Sequence, residues 1–200
     1  MIYLYGAGGH SKVVLEIAEA LNKPIAGLID TNLAIKILLD YPVSADLPEG
    51  NDTRIVISIG SNTIRKKVAA ELADNQFETL IHPESNLSKR ATIGEGTVIM
   101  AGVTINFGAS IGKHCIINTN ASIDHDCRIE DFVHISPNAA LAGEVRVGEG
   151  THIGIGACVI QGIHIGKWCT IGAGAVIISD VPNGVTVVGN PGRIIKQKDS

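Results

Sequence analysis

Seven histidines are candidates for chemistry in this chain: His10, His82, His114, His125, His134, His152 and His164. Only His125 is flanked on both sides by carboxylates, Asp124 and Asp126. A carboxylate beside an imidazole fixes its tautomer and raises its basicity, which suits a general base working near neutral pH. A second chemical feature lies near the start, where the apolar run Ile2–Tyr5 leads into Gly6-Ala-Gly-Gly-His10. A glycine turn that opens a helix presents backbone N–H groups to a phosphate. The full dinucleotide fingerprint would need a glycine where this chain has Ser11. Asp30 follows about 20 residues later, where folds of this kind read a ribose or a base. A second glycine turn, Ile59-Gly-Ser-Asn62, follows a later apolar run.

The elements that must position these groups announce themselves through a period of six. A bulky aliphatic residue recurs at every sixth position from Leu87 to Ile177, through Ile105, Ile123, Leu141 and Val159, without a break. Four residues after each anchor comes a small or β-branched residue, as at Ala91, Val103, Cys115 and Cys127. Glycine often follows the anchor directly, as at Gly94, Gly112, Gly148 and Gly166, and is expected to supply the backbone angles of a tight corner. Period six fits neither a helix nor an extended alternating strand. It fits a solenoid in which each hexad makes one short strand and one turn, three hexads close a triangular coil, and coils bury their faces by stacking. Eighteen-residue coils stack Gly143 on His125, where its N–H can donate to an oxyanion. The same arithmetic stacks His134 on His152.

Residues 1–84 have another texture. Strands are expected at Ile2–Tyr5, Pro24–Asp30, Arg54–Ile59 and Phe77–Ile81, with helices at Ser11–Leu21 and Asn62–Asp74. Alternation of strands and helices indicates a small parallel α/β unit. The predicted fold is therefore an α/β, Rossmann-like N-terminal domain over 1–84, followed by a parallel β-helix over 85–200. Pro191 and Gly192 mark the exit from the repeat. The basic tail Arg193–Lys198 has two readings, a cap on the last coil or a contact to phosphate, with capping favoured.

Several segments together carry a resemblance: Tyr5-Gly-Ala-Gly-Gly-His10, Ile59-Gly-Ser-Asn-Thr-Ile-Arg65, Ile117-Asn-Thr-Asn-Ala-Ser-Ile-Asp-His-Asp-Cys127, Phe132-Val-His-Ile135 and Val188-Gly-Asn-Pro191. In these the chain resembles the nucleotide-sugar N-acetyltransferases of bacterial glycan synthesis, the hexapeptide-repeat group that includes the bacillosamine-pathway acetyltransferase and, as relatives, sialic-acid O-acetyltransferases. The resemblance implies a left-handed β-helix, against the usual crossover rule. It implies acetyl-CoA as co-substrate, a nucleotide-linked amino sugar as acceptor and a homotrimer with its site between subunits. It makes His125 the proton acceptor, tuned by Asp126 where the family pattern has glutamate, and agrees with Gly143 at the oxyanion. His134, Ile155 and Ala173 (glycine in the pattern) would meet acetyl-CoA. Gly8, Gly9, His10, Asp30, Thr31 and Gly60 would hold the nucleotide sugar.

Composition excludes other classes. A net charge of −4, with no basic run interleaved with aromatics, argues against nucleic acid. The chain opens on a strand without a basic leader or a long apolar run, so a cytoplasmic protein without membrane association is expected. The four cysteines have no CxxC spacing; three of them, Cys115, Cys127 and Cys169, fall on the small inward position and read as packing atoms. No metal is expected. The alternatives are transfer to a sugar hydroxyl, a zinc hydratase of the γ-carbonic-anhydrase type ligated by His125, His134 and His152, and a non-catalytic sugar-nucleotide scaffold.

Overall fold

Each hexad from Leu87 to Ile177 forms a two-residue strand with the aliphatic anchor as its second residue, from Asn86–Leu87 to Val176–Ile177. The computed structural model describes residues 1–32, 34–47 and 53–197; Lys198, the end of the basic tail, lies outside them. Strands one coil apart pair in parallel at an offset of eighteen, as Ile105 with Ile123 and Ser110 with Arg128. Three faces result. Face I carries Leu80–Ile81, Val98–Ile99, Ile116–Ile117, His134–Ile135, His152–Ile153 and Thr170–Ile171. Face II runs from Asn86–Leu87 through Ser122–Ile123 to Val176–Ile177, and face III from Thr92–Ile93 through Arg128–Ile129 to His164–Ile165. The anchors and small residues of all three faces form one continuous core, including Cys115, Cys127 and Cys169. Cys158 is exposed on face II.

Two structural reasons correct the glycine expectation. The left-handed backbone angle falls three residues after the anchor, at Gly102 (φ 70), Asp126 (φ 58) and Glu144 (φ 62) among others. The glycine directly after the anchor answers to crowding: a Cβ on Gly94 would stand 2.4 Å from the carbonyl carbon of Gly112 in the next coil, and one on Gly148 2.7 Å from Gly166. Coil-to-coil spacing, rather than backbone angle, selects glycine there.

The N-terminal unit is a parallel sheet edged by one antiparallel strand. It contains β1 (Ile2–Tyr5), α1 (Gly9–Ala20), β2 (Ile25–Ile29), β3 (Ile37–Leu38), β4 (Tyr41–Ser44), β5 (Arg54–Ile57), α2 (Asn62–Glu71) and β6 (Gln76–Phe77), with strand order β3-β4-β2-β1-β5-β6. The hairpin β3–β4 has no counterpart in the sequence expectation; its residues lack a clear alternation. The expected strand Phe77–Ile81 is divided. Gln76–Phe77 closes the N-terminal sheet on β5, whereas Leu80–Ile81 pairs with Val98–Ile99 on face I. Between them Glu78 accepts from Lys23 at 2.5 Å and Arg54 at 2.9 Å, which fixes the change of direction. Ile81 also continues the six-residue phase one hexad earlier.

The unit docks on face I. Leu4, Leu15, Ile17 and Leu28 share a core with Leu80, Val98, Met100 and Ile116 of that face. At the other end Val185–Val188 pairs with Thr170–Ile171 at an offset of sixteen, and Arg193–Gln197 adds an antiparallel strand that caps the stack. Among the described residues no helix is long and apolar enough to cross a membrane.

Candidate active site

His125 and Asp126 occupy the corner between faces II and III, in the turn after Ser122–Ile123. The Asp126 Oδ2 atom is 3.0 Å from His125 Nδ1. The left-handed backbone at Asp126 makes this contact between sequence neighbours. Asp124 braces the same turn: its Oδ1 accepts from the His125 backbone N–H at 2.7 Å and from Asn106 Nδ2 at 2.8 Å. With Nδ1 held by a carboxylate, Nε2 is the atom left to take a proton. The imidazole is half exposed, at 53% of its side chain. Its pKa is held above the ordinary value, first by the Asp126 hydrogen bond, with Asp124, Asp126 and Glu144 adding negative charge.

Gly143 lies directly over the ring. A Cβ there would stand 2.5 Å from His125 Nε2 and 2.6 Å from Cε1. Among the described residues the Gly143 N–H donates no hydrogen bond, while its neighbours on both sides, Ala142 and Glu144, donate to Val159 and His125. A proton acceptor and a free N–H donor thus adjoin at one corner. Cys127, close in sequence, is no nucleophile: its Sγ faces the core, donates to Ala142 O, and burial pushes its pKa up to about 11.

A cavity of about 500 Å³ in the N-terminal unit is lined by all six residues expected at the nucleotide sugar: Gly8, Gly9, His10, Asp30, Thr31 and Gly60. A Cβ on Gly8, Gly9 or Gly60 would meet open space, so the protein itself does not require glycine at these positions and a ligand can reach their backbone. The N-terminus of α1 carries no side-chain cap and no acidic residue, which leaves its N–H groups for an anion. Ser11, at the position where the fingerprint has glycine, is buried and donates to Gly6 O at 2.7 Å. Asp30 braces the turn, accepting from Ala7 N–H at 2.6 Å and Asn32 N–H at 2.8 Å.

His134 projects from face I to the edge of this cavity. Its ring centroid is 6.4 Å from that of His10 and 4.7 Å from that of His152, on which it stacks. Asn118 and Ser136 contact the Nε2 atoms of His134 and His152 at 3.2 and 2.7 Å. Burial pushes the pKa of His10 down to about 4 and that of His134 down to about 3, so both are neutral near pH 7. Ile155 and Ala173 stack one coil apart at the corner between faces I and II, both exposed and both with N–H groups that donate to nothing among the described residues.

Sequence reasoning missed Arg65. It is 1% exposed and has no carboxylate partner among the described residues. Its guanidinium donates to the carbonyls of Ile59, Gly60, His114 and Phe132 and to Asn62 Oδ1, at 2.7 to 3.2 Å. The second glycine turn is thereby tied to two successive coils. No sequence signal separates such a buried cation from a solvated one on an amphipathic helix.

The residues expected in one site form three groups: the cavity with His134, the Ile155–Ala173 corner, and His125 with Asp126 and Gly143. Within a single chain they do not meet, because the docked unit covers face I and the His125 corner lies opposite that face. For the same reason His125 stands apart, in one chain, from the stacked pair His134 and His152 that the zinc alternative would join to it. Among the described residues no cluster of three or more His, Cys, Asp or Glu could hold a metal ion.

Comparison with known proteins gives a consistent group. The family model of the PglD N-terminal domain matches residues 1–72. The chain is 43% identical over 110 residues to the UDP-N-acetylbacillosamine N-acetyltransferase of Bacillus subtilis; the match takes in 50% of this chain and 51% of that relative, so it spans about half of the curated protein. The acetyltransferase domain of PglB from Neisseria gonorrhoeae superposes with a TM-score of 0.92 at 38% identity, covering 97% of this chain and 98% of that one. PerB from Caulobacter crescentus, solved with CoA and GDP-perosamine, superposes with a TM-score of 0.93 at 37% identity, covering 98% and 97%.

Proposed function

Because this chain belongs to the family of β-helix sugar N-acetyltransferases that includes the PglB acetyltransferase domain and PerB, we propose that it transfers acetyl from acetyl-CoA to the amino group of a nucleotide-linked 4-amino-4,6-dideoxy sugar. The observation that carries the chemistry is the carboxylate-held His125 whose Nε2 adjoins the free N–H of Gly143. The observation that carries the substrate class is the N-terminal α/β unit, with its open glycine turns at an uncapped helix.

The site is completed by a cyclic trimer. The outward residues of face II are Asn86, Thr104, Ser122, Ala140, Cys158 and Val176, small and uncharged, whereas face III presents Arg128, Arg146 and His164. Three left-handed prisms that turn face II to a common axis bring the Ile155–Ala173 corner of one chain against the partner subunit's His125. The cleft then lies between face I with its nucleotide cavity on one side and the partner's face III on the other. All three separated residue groups line it.

In this cleft Nε2 of the partner subunit's His125 takes the proton as the sugar nitrogen bonds to the thioester carbonyl carbon. The N–H of the partner subunit's Gly143 donates to the carbonyl oxygen as it gains charge. The C–S bond then breaks, and the imidazolium returns its proton to the thiolate. The products are the amide and CoA, with no group left on the enzyme. His134, Ile155 and Ala173 orient the thioester, and Gly8, Gly9, His10, Asp30, Thr31 and Gly60 hold the nucleotide sugar. The proposed setting is the cytoplasm, where both substrates are made.

The test is an acceptor screen with UDP- and GDP-linked amino sugars, hydroxyl sugars and sialic acid, following thiol release with acetyl-CoA. Transfer to an amino sugar is expected. Exclusive transfer to a hydroxyl acceptor would replace this reading with that of an O-acetyltransferase.

A further inference from the structure

Face III carries an arrangement that the transfer chemistry does not use. Arg128 and Arg146 are register partners on adjacent parallel strands, and His164 is the register partner of Arg146 one coil on. All three are exposed. Like charges directly opposite one another across a strand pair are destabilising. Among the described residues neither arginine has an ion-pair partner. Carboxylates are close: Asp126 and Glu144 line the same groove of about 340 Å³, together with Arg128, Arg146, Gly162 and His164. Asp126 is occupied by His125 Nδ1, and Glu144 bonds to neither guanidinium. Two arginines thus stand on adjacent rungs beside the His125 corner, neither of them paired with a carboxylate among the described residues.

We infer that the Arg128–Arg146–His164 ladder is a phosphate-binding subsite on the wall of the cleft facing the nucleotide cavity of the neighbouring chain. This inference rests on the trimeric transferase reading above. Arginines on adjacent rungs offer planar forks to a phosphate, and a bound phosphate would relieve the repulsion between them. Both substrates bring phosphates into the cleft. CoA is the phosphate ligand still without a charged partner: the glycine turn at α1 already serves the nucleotide, and His164, the third rung of the ladder, shares its coil with Ile155.

The test is calorimetric binding to the full-length protein, with Arg128→Gln/Arg146→Gln against the unaltered chain. The probes are CoA, pantetheine (which lacks every phosphate), UDP and GDP. CoA affinity should fall at least about tenfold in the variant and pantetheine affinity should not change. CoA affinity of the unaltered protein should also weaken more steeply with salt than that of the variant. A loss confined to UDP or GDP would keep the phosphate subsite and assign it to the nucleotide. Unchanged affinity for CoA, UDP and GDP in a variant with unaltered melting and oligomeric state would overturn it. Failure of the transferase reading would look different: the unaltered protein would bind no CoA. Arg128→Lys/Arg146→Lys, which keeps charge but loses the fork, should recover part of the affinity.

Discussion

At the scale of single residues, the corner at His125 separates proton transfer from folding. His125→Ala removes an exposed side chain, so turnover should fall by about 10²–10⁴ while the melting temperature stays put; steady-state kinetics beside thermal melting checks both halves. Asp126→Asn keeps a residue that tolerates the left-handed angle and removes only the charge. Asp126 raises the His125 pKa, and a general base must be deprotonated. The acid limb of the kcat/KM profile should therefore move to lower pH in the variant; an unmoved limb would show that Asp126 does not tune the base. Gly143→Ala puts a methyl where the imidazole lies and should lower kcat more than it raises either KM. The pair at 124–126 and the stacked glycine were legible because both depend on spacing along the chain. Arg65 was not, because its role comes from the coils it reaches. The arginine ladder was not, because exposed arginines at outward rung positions are indistinguishable in sequence from any solvated strand face.

At the scale of elements, the period of six fixed every rung from Leu87 to Ile177, because a two-residue strand leaves no freedom of register. The glycines after the anchors were read correctly in position and wrongly in cause. Crowding between coils makes a direct prediction: Gly148→Ala should destabilise the solenoid by about 1–3 kcal/mol, measured by denaturant unfolding, although its backbone angle suits alanine. The short N-terminal strands were harder. β3–β4 and the break at Glu78 depend on contacts with distant segments, which no local pattern encodes. Arg65→Met should loosen the joint between α2 and the coils. It leaves several buried carbonyls without donors, at about 1–3 kcal/mol for each one that water cannot reach. Its signature beyond lost stability would be a raised KM for the nucleotide sugar, because Gly60 hangs from the same guanidinium.

At the scale of the whole molecule, the joint between face I and the docked unit gathers His10 of α1 with His114, His134 and His152 of the coils. Burial holds His10 and His114 down to about 4 and His134 to about 3. An unfolded chain protonates these groups near 6.5, so the stability from keeping them neutral is present above that pH and is lost as pH falls from there toward 4. By pH 5 the loss amounts to at most about 2 kcal/mol for each group. Melting temperatures across pH 7.5 to 5 should drop accordingly, and a flat profile would show that the rings are hydrated. Sedimentation should return three chains per particle, and Ala140→Glu on face II should dissociate it and abolish transfer together. The solenoid, the two-part organisation and the chemical corner could all be derived from one chain. Which faces meet could be inferred only after the repeat had been folded, because the clue is the contrast between faces II and III.

A stack of identical rungs has no intrinsic length, and the end of one prism is a template for the start of another. In this chain the last rung is two residues short, Gly192 donates back to Val176, and Arg193–Gln197 runs against the grain across the edge. The tail thus works as a terminator. Shorn of it, the protein should grow end to end into filaments.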